Sequence, residues 1–384
     1  IICILGYIKV SQPFWSIQPV FHAYDIHYFF SKNKIIMEEL PKPNKYTNFL
    51  NVKTKTFDKI NNENISQILN ILSDNYLKPT EGKYLPQIDN FLPYFRKKDS
   101  SYLSVYLEDI HEPNLKNGTI ETIKKPFGII TSRILNVTYN NNSVDNVFDV
   151  FYVDYLCVDK DKRKLGIAPQ LIQTHNYNQR HLNKTTKICL FKREHEITGI
   201  VPLTFYYTYG FSVKTWNKPN NLPLPYSFVK VTKTNFSLFW DFLKSNVTKF
   251  NLRITFDTFN LIDLIKSDNI IIYLILFDDK VKACYFFRKT CVKVDNDLEV
   301  LSCFASINTD LQPFYFNHGF KISFWDAAYN GNYGFCAVED LSDNNIIINE
   351  LIKVNKPLVK SPTAYFFYNY IFSTLKSNNV FIIN

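Results

Sequence analysis

Apolar residues in the stretch NNENISQILNILSDNY fall at 65, 68, 69, 71 and 72, the spacing of one helical face, so a helix is predicted over 61–76. PFGIITSRILNVTY (126–139) and DVFYVDYLCV (149–158) are continuous apolar and β-branched runs separated by the polar cluster NNNSVDN, which predicts a hairpin of long strands. IAPQLIQTHNYNQRHL (167–182) reads as a helix opened by a proline in the first turn, where its missing N–H costs nothing. Strands follow at 187–192 and 205–213. WNKPNNLPLPY, rich in proline and asparagine, then breaks the pattern. Beyond it a helix is predicted near 236–247, with strands at 269–277, 281–288 and 297–305. A helix at 308–319 and strands at 333–338 and 364–372 complete the chain. The order helix, paired strands, strand, helix, strand occurs on both sides of the break. Two arrangements fit it: one α+β unit duplicated, or two unrelated α+β domains.

Composition narrows the class. The chain has 384 residues, 46% apolar and 16% aromatic, enough to bury a large core and to argue against disorder. The net charge of +9 suits nucleic acid, anionic lipid or a phosphate-bearing cofactor. Nucleic acid is the weakest of the three, because the lysines are scattered and no finger spacing or basic arm is present. The seven cysteines include no C-x-x-C pair, which points away from zinc and disulfides and toward a reducing, cytoplasmic location. No metal site is expected. IICILGYI at the start is apolar for eight residues against the roughly 20 of a membrane span.

The candidate chemistry lies in LCVDKDKRKLGIAPQLI (156–172), where a strand runs through a charged turn with a glycine into a helix start. The first N–H groups of a helix lack intrahelical partners and carry the positive end of its dipole, so this geometry suits a pyrophosphate. Arg163-x-x-Gly166-x-Ala168 matches the R/Q-x-x-G-x-G/A loop with which GNAT acyltransferases hold acyl-coenzyme A. Alone, six such residues are more often a solvated lysine-rich turn. The wider stretch resembles the acyl-CoA loop of the N-myristoyltransferases, FLCVHKKLRSKRVAPVLI. Leu156-Cys157-Val158, Arg163, Ala168-Pro169 and Leu171-Ile172 fall in register without a gap. PFWSIQPV (13–20) is similar to that family's QFWDTQPVP. Weaker echoes are LSDNYLKP (72–79), DNIIIYLILFDDKVKACYFF (268–287), AVEDLSDN (337–344) and AYFFYNY (364–370).

The resemblance implies an α+β fold of two tandem GNAT-like units with pseudo-twofold symmetry, a mixed central sheet flanked by helices. It implies an acyl-CoA-binding half at 1–215, a linker at 216–227 and a peptide-binding half at 228–384. It also implies transfer of a myristoyl group from myristoyl-CoA to the N-terminal glycine amine of proteins, by a cytoplasmic monomer with no permanent cofactor. Pro13, Phe14, Trp15, Tyr155, Leu156, Cys157, Val158, Arg163, Lys164, Gly166, Ile167 and Ala168 would hold the coenzyme. The main-chain amides of Tyr155 and Leu156 would form the oxyanion hole. The terminal carboxylate at Asn384, drawn inward by Val380-Phe381-Ile382-Ile383, would be the base. The same tail also reads as a strand that merely completes a sheet. Tyr84, Tyr206 and Asp340 would contact peptide.

Several positions depart from the family. Lys78-Pro79-Thr80-Glu81 replaces its acidic run, Phe191-Lys192-Arg193-Glu194 its YTAG, and Thr208 a histidine. A catalytically impaired acyl-CoA-binding relative and a GNAT-type N-acetyltransferase are the alternatives.

Overall fold

The computed structural model describes residues 6–7, 10–78, 81–95, 98–113, 120–141, 144–194, 199–214, 216–294 and 298–384. Pro79, Thr80, Thr215 and most of the opening apolar run lie outside them. The first part of the chain gives β1 (Lys34–Ile35), β2 (Val52–Thr56), α1 (Asn62–Asn75), β3 (Lys83–Tyr84) and the one-turn α2 (Ile88–Phe91). Helix α1 forms where the spacing placed it. Ile65, Ile68, Leu69 and Leu72 are buried on one face, and the Asn61 side chain accepts the Asn64 N–H at 2.9 Å as an N-cap.

Three long antiparallel strands follow: β4 (Tyr102–Pro113), β5 (Ile120–Asn141) and β6 (Val144–Val158), then α3 (Ile167–Leu182), β7 (Ile188–Glu194) and β8 (Thr204–Ser212). The predicted hairpin is β5–β6, paired from Gly128↔Val158 to Asn141↔Val144 and so longer at its turn end than its apolar runs suggested. Among the described residues no helix or strand lies between Ser212 and Tyr226, and Trp216 packs there against Phe324 with ring centroids 5.5 Å apart.

The second part comprises β9 (Tyr226–Lys230), α4 (Phe236–Asn246), β10 (Leu252–Thr255), α5 (Thr258–Lys266), β11 (Ile270–Phe277), β12 (Lys280–Val294) and β13 (Leu298–Asn308). It ends with α6 (Pro313–Asn330), β14 (Tyr333–Glu339), α7 (Asn344–Val354), β15 (Val359–Tyr368), β16 (Tyr370–Ile371) and β17 (Val380–Ile382). Two differences from the sequence reading have local causes. The helix expected at 308–319 begins at Pro313, because Asn308 ties itself to the Leu311 N–H and C=O at 3.0 and 2.9 Å and makes a turn of 308–311. The strand expected at 364–372 breaks at Asn369, which has φ of 66°.

Fifteen strands form one mixed sheet, on the path β17-β10-β5-β6-β7-β15-β8-β14-β13-β12-β11-β9. Strands β4 and β2 branch from β5, and β3 from β12. The two halves are interleaved. Strand β15 lies between β7 and β8, while β10 and β17 extend the edge of β5. The core follows suit: Leu135 and Val150 share one cluster with Phe239, Phe286 and Phe381. Burying a side chain such as Phe381, fully enclosed, stabilises by about 1.5–3 kcal/mol, so the apolar tail is firmly held. The tail therefore is a sheet-completing strand, and it also carries Asn384 into the interior, 1% exposed.

Candidate functional site

Strands β6 and β7 run parallel and in register from Val150↔Ile188 to Val153↔Phe191, and there they part while β6 continues to Val158. On its other side β6 stays paired with β5, with a register shift that sets Asp154 and Tyr155 opposite Thr131. The shift kinks the strand at that point. The Tyr155 N–H, one of the two amides that the resemblance assigns to the oxyanion hole, donates to Thr131 Oγ1 at 3.2 Å. Successive amides of a strand face opposite edges, so that of Leu156 is turned toward the edge β7 has left.

The charged turn beyond β6 is built by its own residues. Asp159 accepts the Asp161 N–H at 2.9 Å, and the Lys160 N–H reaches Asn75 Oδ1 at 2.9 Å. The Arg163 guanidinium donates to the Asn75 carbonyl, tying the loop to the end of α1, and Lys162 pairs with Glu108 at 2.8 Å. Gly166 sits at the N-cap of α3 with φ of 79°; a Cβ there would meet only Gln170 Nε2, at 3.9 Å. Backbone conformation, not crowding, is therefore what calls for glycine. Because Gly166 has no side chain to cap α3, the first amides of a sixteen-residue helix are left facing an exposed, basic turn.

A cavity of about 940 Å³ opens between α3 and the parted strands. Ala168, Ile172, His175, Asn176 and Gln179 line it from the helix; Ile130, Val153 and Leu156 line it from the sheet, with Phe14 and Trp15 at its side. Trp15 stacks on Phe191, centroids 5.6 Å apart and planes 15° apart. The floor is polar and closed on itself. Ser132 Oγ donates to Gln179 Oε1 at 2.5 Å, leaving its lone pairs for His175 Nε2 at 2.9 Å, while Ser104 Oγ meets His175 Nδ1 at 2.8 Å. Burial pulls the His175 imidazole down to about 3, so it is neutral.

Farther along, the cavity is walled by charge. Glu339 accepts from Lys192 at 3.0 Å, Tyr206 at 2.5 Å and Arg288 at 2.9 Å. Burial alone would raise its carboxyl, but Lys192 and Arg288 outweigh it and hold it below the ordinary value. Arg288 Nη1 also donates to the main-chain oxygen of Asn384 at 3.0 Å and to its Oδ1 at 3.1 Å. Asp154 is gripped by Arg133, Nε to Oδ1 and Oδ2 at 2.9 and 3.0 Å and Nη2 to Oδ1 at 2.8 Å. Here burial outweighs the arginine and raises the carboxyl.

Of the residues singled out from sequence, Phe14, Trp15, Tyr84, Tyr155, Leu156, Ala168 and Asn384 line this cavity. Gly166 and Lys164 (φ 67°) shape the turn at its mouth, and Ile167 is buried beneath it. Pro13 and Val158 lie outside the lining, and the Cys157 thiol faces the Ile71 carbonyl on the far side of the strand. Tyr206 stands behind Glu339 rather than in the cavity, and the acid that lines the wall there is the buried Glu339, not Asp340, whose N–H bonds the Tyr207 carbonyl at 3.0 Å. Sequence reasoning missed Asp154, Arg133, Glu339 and Arg288. The available signal was a lone acid inside VFYVDYLCV and a lone arginine inside IITSRILNV. Among the described residues no group of three His, Cys, Asp or Glu side chains could hold a metal ion, and no helix is long and apolar enough to cross a membrane.

Among the solved structures that match the whole arrangement are three of N-myristoyltransferase from Saccharomyces cerevisiae with bound myristoyl-CoA, one of them also with inhibitors. TM-scores are 0.70, 0.69 and 0.69 at 14% identity, over 97% of this chain and 94%, 99% and 94% of theirs. The chain has the N-myristoyltransferase fold. No protein-family model and no curated protein matches the sequence itself. The N-myristoyltransferase architecture of two GNAT-like units accounts for the repeated order of elements on either side of Trp216.

Proposed function

We propose that the chain is an acyl-CoA N-acyltransferase that moves a tetradecanoyl group from its coenzyme A thioester to the N-terminal glycine amine of a peptide. One observation carries the proposal: two parallel strands part beside an uncapped helix start, and the gap opens into a cavity that holds carboxylates. The diphosphate would rest on the turn Arg163–Ala168, with the pantetheine passing between β6 and β7 beside Phe14 and Trp15. The thioester oxygen, gaining negative charge as the amine attacks, would face the Leu156 amide and that of Tyr155 once it leaves Thr131. Acyl methylenes would contribute about 0.8 kcal/mol each on leaving water. Peptide would enter past Tyr84, with Glu339 and Arg288 beyond it. Two groups would serve for the amine's proton, the Asp154 carboxylate or a terminal carboxylate on Asn384.

An acyl-CoA-binding relative with impaired transfer is the second reading, favoured by the bond the Tyr155 amide already makes to Thr131 and by Lys192, ion-paired where the resemblance expects a threonine. Incubating the chain with radiolabelled myristoyl-CoA and a glycine-initiated octapeptide separates the two. Acylated peptide supports the transferase; coenzyme binding without product supports the relative. Preference for acetyl-CoA would replace both with an N-acetyltransferase. A cytoplasmic location and a monomeric state belong to the same proposal and are read by fractionation and light scattering.

A further inference from the structure

We infer that Asp154 is the proton acceptor of the transfer and that Arg133 positions it; the inference rests on the acyl-transfer reading. Asp154 immediately precedes Tyr155 and Leu156, so its carboxylate and the amides that would receive the thioester oxygen sit on consecutive residues of one bulged strand. It faces the cavity with its side chain 11% exposed. Its Oδ2 accepts a single N–H, from Arg133 Nε at 3.0 Å, and so keeps a lone pair for a substrate. Arg133 is buried, its guanidinium 5.2, 5.3 and 4.8 Å from the rings of Tyr94, Tyr152 and Phe256. The carboxylate is therefore held in place before any substrate arrives.

The two acceptors around Arg288, Glu339 and Asn384, are more deeply enclosed than Asp154. Glu339 is 3% exposed and shared among three donors. Asn384 gives both its main-chain oxygen and Oδ1 to Arg288, whereas Asp154 carries its carboxylate whether or not the chain continues past that point. The groups facing Asp154 are Arg133 on β5, Arg288 on β12, Tyr152 and Tyr155 on its own strand, Tyr76 after α1, and Tyr94. Burial outweighs the two arginines, so this carboxyl titrates above its ordinary range and is a stronger base for it.

In the step, the substrate ammonium gives one proton to Asp154, and its lone pair forms the C–N bond as the thioester π pair moves to oxygen. Collapse of the tetrahedral adduct breaks the C–S bond. The departing thiolate takes the second proton from nitrogen, and Asp154 returns the first to water.

The test is kcat against pH for peptide acylation by the full chain, with acyl-CoA affinity measured alongside by calorimetry. Asp154→Asn should lower kcat by about 10²–10⁴-fold, abolish the acid limb of the profile and leave acyl-CoA affinity within about threefold. Asp154→Glu should keep the limb, and added formate should restore turnover to Asp154→Gly. The inference is overturned if Asp154→Asn keeps kcat and limb, if formate fails on an Asp154→Gly protein that still binds acyl-CoA, or if deleting Asn384 alone removes the limb. Should Asp154→Asn lose acyl-CoA binding, Asp154→Glu decides: no limb, no base. A wild-type chain that never acylates peptide would sink the acyl-transfer reading itself; a wild type that turns over beside an unaffected Asp154→Asn would sink only this inference.

Discussion

The molecule contains the same strand–helix–strand unit twice, and only one copy is open. In the first, β6 and β7 part after four residue pairs, and the space between them is cavity. In the second, β13 and β14 pair from Glu299↔Tyr333 to Cys303↔Val338 and also part, but the chain fills its own gap. Asn344 Nδ2 donates to the carbonyls of both Cys303 and Glu339, at 3.2 and 2.8 Å, bridging the two strands. Ser342 Oγ accepts the Ser306 N–H at 3.0 Å, and Leu341, Ser342 and Asn344 are buried.

The turns differ in charge as well, with Lys160, Lys162, Arg163 and Lys164 in the first and Asp310 and Asp343 beside the second. So do the helices. α3 buries Gln173, His175, Asn176 and Gln179, whereas α6 buries Phe316, Phe320 and Phe324. A hydrogen-bonded floor keeps its shape when water or a ligand enters, while an aromatic face demands to be covered. The βαβ shape is thus no site by itself; it becomes one where the chain leaves the gap unfilled and the turn basic.

The largest change should come from the charge cluster between the two gaps. Arg288→Leu strips Glu339 of one of its two arginine and lysine partners in a buried setting, and should cost about 3–5 kcal/mol in urea unfolding. Next is a pH effect confined to the open copy. His175 titrates near 3 when folded and near 6.5 when unfolded, so below 6.5 the unfolded chain binds more protons. Stability should be whole above pH 6.5 and fall toward pH 3 by about 1.4 kcal/mol per unit. His175→Gln should lose that share of the slope. Asn344→Ala, which unlatches the closed copy, should cost about 1–3 kcal/mol through two orphaned carbonyls and leave acyl-CoA binding untouched. Smallest is Trp15→Ala, which removes one stacked ring beside the open gap and should weaken acyl-CoA binding by about 0.5–1.5 kcal/mol in calorimetry.

The open copy was the more legible in sequence. The start of α3 follows from Gly166 and Pro169, and the strand before it from a mostly apolar run. Its floor was not legible, because a binary pattern assigns His175 and Gln179 to solvent, and only Ser104 and Ser132, from distant strands, reveal otherwise. Asp154 was hidden for the same reason: its partner lies twenty-one residues away across a hairpin. In the closed copy, Asn308 and Asn344 set the start of α6 and the latch through side-chain bonds that have no periodicity to read. Helices α5 and α7, nine and eleven residues long, went unpredicted beside the apolar strands that flank them.

Calorimetric titration with myristoyl-CoA tests the open gap most directly, on the wild type and on Gly166→Val, whose branched side chain the left-handed turn resists. Saturable one-site binding by the wild type, weakened at least tenfold in the variant, is the outcome expected. Equal affinities, or no heat from either protein, would contradict the assignment of that gap to acyl-coenzyme A.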